Sequence, residues 1–271
     1  MRVQAHGRGS TAQHVLRAAW LLAALCGAAA AETRYFWTDA LGEHYSKDKP
    51  ITPELYSKLD VPDTVAWRSP PHRGEPLTDG EPLPPQELFR QVAPSVYWVR
   101  REPNGSGFGS AAGGGKYGSA IAVSEHEAIT NCHIVAEADS RLTLGAGQPD
   151  EGAEAELVAV DFDADRCVVE VMSLTLRPVT KVRSYDSLEV GEAVYAVGNP
   201  RKMARTLSTG LVSGMREREE GRLIQFTAPI SPGSSGGGLF DARGNLIGVT
   251  SYSLRGAQYI NFAIPAEDFW Q

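Results

Sequence analysis

The stretch Ser231-Pro232-Gly233-Ser234-Ser235-Gly236-Gly237-Gly238-Leu239-Phe240 decides how the rest of the chain is read. Glycines two residues before and one after Ser235 permit positive φ, so the backbone can turn sharply around that hydroxyl. Such a turn aims successive N–H groups into one hollow, which suits an oxyanion. A plain Gly-rich hairpin shares the composition. This run, however, passes straight into Leu239-Phe240 and a strand pattern, as no flexible linker does.

A nucleophilic Ser needs a base. The six His stand at positions 6, 14, 44, 72, 126 and 133, and none follows Ser235. The chain order Ser, acid, His of α/β-hydrolases is thereby excluded. The order His, acid, Ser belongs to chymotrypsin-like barrels. The order acid, His, Ser is allowed by counting but needs a helix-rich α/β layer that the pattern lacks. His44 and His72 lie in an N-terminal extension, and His126 sits between Glu125 and Glu127 in an expected turn. His133, at the exit of the apolar run Ala128-Ile129-Thr130, is the candidate base. Asp161, Asp163 and Asp165 compete as its acid. Asp165 leads directly into Cys167-Val168-Val169 and suits a buried carboxylate that orients an imidazole. Asp161 and Asp163 fit a solvated acidic turn.

Outward from these residues, the chain reads as short β-branched or aromatic runs separated by Gly, Asp and Asn turns. Ser95–Val99, Ala120–Val123, Ala128–Thr130, Cys167–Val171, Ala193–Val197, Leu223–Phe226, Leu246–Thr250 and Tyr259–Ala263 are examples. Ten or more such runs with little helical period predict an all-β barrel or sandwich rather than alternating βαβ units. One helix is expected over Pro85–Val92, with Pro at its start. Residues 104–118, seven Gly in fifteen, are expected to form a surface loop.

Three segments now carry a resemblance: Thr130-Asn131-Cys132-His133-Ile134-Val135, Asp165-Arg166-Cys167-Val168-Val169 and Pro232-Gly233-Ser234-Ser235-Gly236-Gly237. Val197-Gly198-Asn199-Pro200, Thr209-Gly210-Leu211-Val212-Ser213 and Asn261-Phe262-Ala263-Ile264-Pro265 add to it. In this order, over residues 85–271, they resemble bacterial trypsin-like serine proteases of the HtrA/Deg type. The resemblance implies two six-stranded antiparallel β-barrels with the active site in the cleft between them. It implies Ser235 as nucleophile, His133 as general base and then acid, and Asp165 as its orienting acid. The N–H groups of Gly233 and Ser235 are the implied oxyanion hole. Ser251, Tyr252 and Ser253 match the strand flanking the primary specificity pocket, and Pro229 falls at the pocket floor. With no acid there, a small or medium apolar side chain is expected rather than Arg or Lys. If His133 and Asp165 meet, Cys132 and Cys167 are neighbours, and a disulfide between them is expected. The departures are Gly118-Ser119-Ala120 in place of Gly-Ser-Gly, Gly238 in place of Pro, and Arg166-Cys167-Val168 in place of Leu-Ala-Leu. The family's PDZ domain is not expected in the chain as it stands, which ends at Gln271.

Composition agrees with a globular chain: 271 residues, 42% hydrophobic and 22% charged. A net charge of −7 argues against a nucleic-acid binder, which usually shows a basic face. Residues 1–31 hold Arg2, Arg8 and Arg17, no acid, and the apolar run Ala18–Ala31. That run is shorter than the roughly 20 residues a membrane helix needs. It reads as a secretory signal cleaved after Ala31. Cleavage takes away three cations and no acid, moving the charge from −7 to −10, and it removes Cys26. No membrane span is expected afterwards, and a periplasmic or secreted location follows.

Residues 32–84 read as a small β module and then a Pro-rich linker. Tyr35-Phe36-Trp37-Thr38-Asp39, Gly42 and His44-Tyr45-Ser46 predict two aromatic strands joined by a turn. They resemble a W-x-D-x-x-G-x-x-H-Y-S module of bacterial envelope proteins, with the Gly-to-His spacing one residue short. The expected activity is peptide hydrolysis of protein or peptide substrates, without metal or other cofactor. A binding protein on the same fold and an esterase-like hydrolase are the other readings.

Overall fold

The computed structural model describes residues 66–70, 74–77, 80–103, 115–136, 140–147, 151–218, 221–254 and 258–271, and the backbone of three strands within 32–61. Those three are β1 (Glu32–Asp39), β2 (Gly42–Ser46) and β3 (Tyr56–Val61), in the sheet order β2-β1-β3. The expected hairpin pairs Trp37 with His44 and Asp39 with Gly42. β3 was not expected.

The helix α1 spans Pro85–Val92 as expected and buries Leu88 and Val92. Proline at its first position supplies a preset φ where no N–H partner is needed. The first barrel follows: β4 (Val96–Pro103), β5 (Lys116–Ala122), β6 (Glu127–Thr130), β7 (Ser140–Gly145), β8 (Ala153–Asp161) and β9 (Arg166–Glu170). They close in the order β4-β5-β6-β9-β8-β7. Lys116–Gly118, assigned from sequence to the glycine loop, is instead the start of β5. Its residues pair with Val99, Arg100 and Arg101 of β4, a ladder that outweighs local Gly content. Most of the loop, 104–114, lies outside the described residues.

The second barrel comprises β10 (Ala193–Gly198), β11 (Thr206–Arg218), β12 (Gly221–Phe226), β13 (Gly238–Asp241), β14 (Leu246–Ser253) and β15 (Asn261–Pro265). It closes as β10-β11-β12-β15-β14-β13. All pairings in both barrels are antiparallel, which makes twelve strands of the all-β architecture expected.

Period-2 alternation explains how the two barrels pack. In β9, Cys167 and Val169 point into the first barrel, and Val168 points out. In β10, Val194 and Ala196 fill the second barrel, and Val197 points out. The outward residues meet in a third apolar cluster, with Val96, Ile121, Ile129 and Val168 from one barrel and Val197, Phe240, Leu246 and Val249 from the other. Leu88 and Val92 of α1 and Phe269 of the C-terminal 3-10 turn (Ala266–Trp270) complete it. Strands buried on both faces read as continuous apolar runs, as Ala128-Ile129 and Val168-Val169 do.

The Pro-rich stretch, where described, lies against the domain. The Trp67 indole N–H donates to the Gln271 carbonyl at 2.9 Å, and its ring meets Phe269 edge-on at 6.1 Å. Asn245 clasps the Leu77 backbone through both amide atoms, at 2.6 and 2.9 Å. Leu83 N–H donates to Ala242 at 2.8 Å.

Candidate active site

β6 ends at Thr130, and the chain turns at once into the short helix α2 (Cys132–Val135), which carries His133. His133 thus stands just past the exit of the strand, as expected, on a helical turn that the sequence did not reveal. His133 is 5% exposed. Asp165 ends the turn between β8 and β9, with φ +52°. Aspartate tolerates this left-handed conformation better than most residues. The Asp161 carboxylate holds the turn by accepting from Ala164 N–H at 3.2 Å. Asp161 was expected to be merely solvated; it is paired with Arg166, whose Nε lies 3.1 Å away. The β8–β9 register brings the two opposite one another, which nearness in sequence did not reveal.

His133 and Asp165 meet twice. Imidazole Nδ1 lies 2.9 Å from Asp165 Oδ2, and the His133 N–H donates to Oδ1 at 3.0 Å. Backbone and ring are therefore aligned by one carboxylate. Lys116 Nζ donates to the His133 carbonyl at 2.8 Å. The Asn131 side-chain amide donates to the Asp165 carbonyl at 3.3 Å. Asn131 is fully buried, and its Oδ1 accepts no hydrogen bond among the described residues.

Cys132 and Cys167 form the expected disulfide, with Cα atoms 5.0 Å apart. It joins the segment carrying His133 to the segment carrying Asp165.

Ser235 stands in the loop between β12 and β13. Its Oγ donates to the Ser251 carbonyl at 2.6 Å. Ser251 Oγ in turn donates to Asp165 Oδ2 at 3.2 Å. Ser251 therefore touches both ends of the constellation, not only the flank of a pocket.

The glycines at 233 and 236 have φ +99° and +82°. A Cβ on Gly236 would lie 1.9 Å from the Ser119 carbonyl oxygen, so only glycine fits that approach. The loop is clamped from the first barrel: Ser119 N–H donates to the Ser235 carbonyl at 2.7 Å, and Ser119 Oγ to the Gly233 carbonyl at 2.8 Å. Asn199 N–H donates to Ser119 Oγ at 2.8 Å. The Pro232 carbonyl accepts from Arg201 N–H at 2.8 Å. In a trans peptide N–H and C=O point oppositely, so the Gly233 N–H faces away from Arg201. The N–H groups of Gly233 and Ser235 have no acceptor among the described residues.

Pro229 lines a cavity of about 280 Å³ with Ile230, Ser231, Ser234 and Ser208. Ser208 Oγ donates to the Pro229 carbonyl at 2.7 Å and draws that segment toward β11. Tyr252 packs on Phe262, with ring centroids 5.0 Å apart. His126 is remote and lies 3.2 Å from the Val171 carbonyl, while His72 lies outside the described residues. Among the described residues no cluster of His, Cys, Asp or Glu could hold a metal, and no helix is long and apolar enough to cross a membrane.

Sequence reasoning missed Asn131 and Ser119 as site residues, although the quoted Thr-Asn-Cys-His and Gly-Ser-Ala segments contain them.

The trypsin-like peptidase domain matches residues 118–249. The chain is 33% identical over 200 residues to a protein named putative serine protease HhoB from Synechocystis, covering 70% of this chain and 45% of that protein. It is 30% identical over 226 residues to a probable periplasmic serine endoprotease DegP-like from Pseudomonas fulva, covering 80% and 45%. The chain thus spans under half the length of these relatives. The crystal structure of Deg5 aligns with a TM-score of 0.54 at 27% identity, over 68% of this chain and 88% of that one. By its barrels, its matched domain and these relatives, the chain carries a trypsin-like peptidase domain and is similar to serine proteases of HtrA/Deg type.

Proposed function

We propose that this chain is a serine endopeptidase that hydrolyses protein or peptide substrates through a Ser235–His133–Asp165 triad and an acyl-enzyme. The observation that supports the reading is that Ser251 joins the Ser235 hydroxyl to the carboxylate paired with His133, while the N–H groups of Gly233 and Ser235 have no acceptor among the described residues.

In this mechanism, Ser235 Oγ leaves the Ser251 carbonyl and attacks the scissile carbonyl as His133 Nε2 takes its proton. Asp165 holds Nδ1–H and stabilises the imidazolium. The Gly233 and Ser235 N–H groups receive the developing oxyanion, where losing one such donor costs about 10²–10³ in rate. His133 then gives its proton to the leaving amine. Water, deprotonated by His133, releases the acyl group. β13 covers β14 only as far as Val249, so the edge at Ser251–Ser253 can take an extended peptide as an added strand. The signal-like N-terminus and the disulfide support export to an oxidising compartment.

The test is labelling by a fluorophosphonate alongside hydrolysis of a casein or peptide substrate. Labelled wild type and unlabelled Ser235→Ala is the expected outcome. A folded wild type that neither reacts nor cleaves would leave the binding-protein reading in its place.

A further inference from the structure

We propose that Arg218 builds a subsite for an acidic side chain, Asp or Glu, two to four residues before the cleaved bond. The inference rests on the endopeptidase reading and adds a substrate class to it.

Arg218 ends β11, far in sequence from the triad, yet its guanidinium is fixed beside the substrate edge. Its Nη1 donates to the Tyr252 hydroxyl at 2.9 Å. Its carbon lies 5.4 Å over the Phe262 ring, which itself packs on Tyr252. An Arg held by a hydroxyl and an aromatic face has lost much of its rotamer freedom before any ligand arrives. One of five donors is used at Tyr252, and the side chain is exposed. The remaining fork matches a carboxylate.

Neighbouring charges do not neutralise it among the described residues. Arg216 donates to Gln225 at 2.7 Å, and Arg222 is engaged by Glu267 and Asp268. Glu217 acts on the Tyr185 hydroxyl, on the other face of the strand. No described carboxylate pairs with Arg218.

Placement relative to the chemistry follows from the strand. Tyr252 is the residue after Ser251, whose carbonyl holds Ser235 Oγ. Strand residues advance by about 3.3 Å. A peptide laid antiparallel on Ser251–Ser253, with its scissile carbonyl at Ser235, therefore runs its preceding residues past Tyr252 and the Arg218 fork.

The experiment profiles cleavage of a peptide library by the full chain and by Arg218→Gln and Arg218→Glu. Matched peptides with Glu, Gln or Lys at the favoured position then give kcat/KM ratios. Thermal melting checks that the variants fold. Wild type should favour Glu over Gln about 2- to 5-fold, the range of one exposed ion pair, and less so in high salt. Arg218→Gln should lose the preference, and Arg218→Glu should turn it toward Lys. Glu219 and Glu220 adjoin Arg218 in sequence; with both changed to Gln, the preference should hold or grow. A wild type that cleaves with no acidic enrichment at any of the three positions overturns this subsite and leaves the endopeptidase reading intact, as does an unchanged profile in Arg218→Glu. A wild type neither labelled at Ser235 nor cleaving removes both.

Discussion

Asn131 donates its side-chain amide to the backbone carbonyl of Asp165 at 3.3 Å. The recipient has φ +52°, a conformation that needs outside support in a residue other than glycine. Asn131 also precedes α2, so one buried amide ties the turn of the acid to the helix of the imidazole. Asn131→Ala removes this tie and leaves a buried carbonyl short of a donor. We expect kcat/KM to fall about 10- to 100-fold, for about 1–3 kcal/mol, with most of the loss in kcat. Steady-state kinetics on a peptide substrate check this, and a loss confined to KM would contradict it.

The Ser119 carbonyl occupies the space that a Cβ on Gly236 would need. Gly236→Ala should therefore cost more than about 3 kcal/mol and abolish fluorophosphonate labelling. Gly191 has φ +101° but nothing within 4 Å of the place a methyl group would take, so Gly191→Ala should cost only the backbone strain, about 1–2 kcal/mol. Chemical denaturation of the two variants measures the contrast. Equal losses would mean that φ alone, not the close approach, dictates glycine at 236.

Arg183 grips Glu192 with two donors, at 2.6 and 2.9 Å. Burial pushes the Glu192 carboxyl up, but Arg183, the Glu189 N–H and the Arg243 charge together outweigh it and hold the group below its ordinary value. Its stabilising contribution is full above the unfolded carboxyl pKa and is lost as pH falls through the folded one. Glu192→Gln should lower the melting temperature by a few degrees at pH 7, for about 1 kcal/mol. The gap to wild type should close as the medium is acidified through the carboxylate range. Melting curves from pH 7 to pH 3 test this.

The disulfide closes a loop with a sequence separation of 35, and both sulfurs are fully buried. In the chain-entropy picture it contributes about 3–4 kcal/mol. The double variant Cys132→Ala and Cys167→Ala should lose roughly that amount in denaturant unfolding. Mass spectrometry of the non-reduced wild type should show two hydrogens fewer than the reduced form.

Much of the fold was legible because barrels are written in local patterns. Alternating apolar residues with turn residues between them predicted an all-β barrel or sandwich, and the absence of His after position 133 excluded the α/β-hydrolase order; the two six-stranded barrels followed from the resemblance. The glycines at 233 and 236 were legible for the same reason, since positive φ is a property of one residue. Legibility ended at side-chain partners. Asp161 read as solvated because its ion pair with Arg166 depends on the β8–β9 register. Nor did the sequence reveal that Ser208, 21 positions away, donates to the Pro229 carbonyl.

The sequence alone determined the all-β class, the chain order of the reactive residues and the positions where only glycine can turn. Each follows from chirality, sterics or a two-residue period, and needs no partner. Tertiary structure alone decided that Ser251 joins Ser235 to Asp165, that Asn131 holds the acid's carbonyl and that Arg218 stands over Phe262. The hydrogen bonds among them join residues 16 to 86 positions apart, and such bonds have a reach of about 3 Å. Only closure of both barrels brings such atoms within that reach.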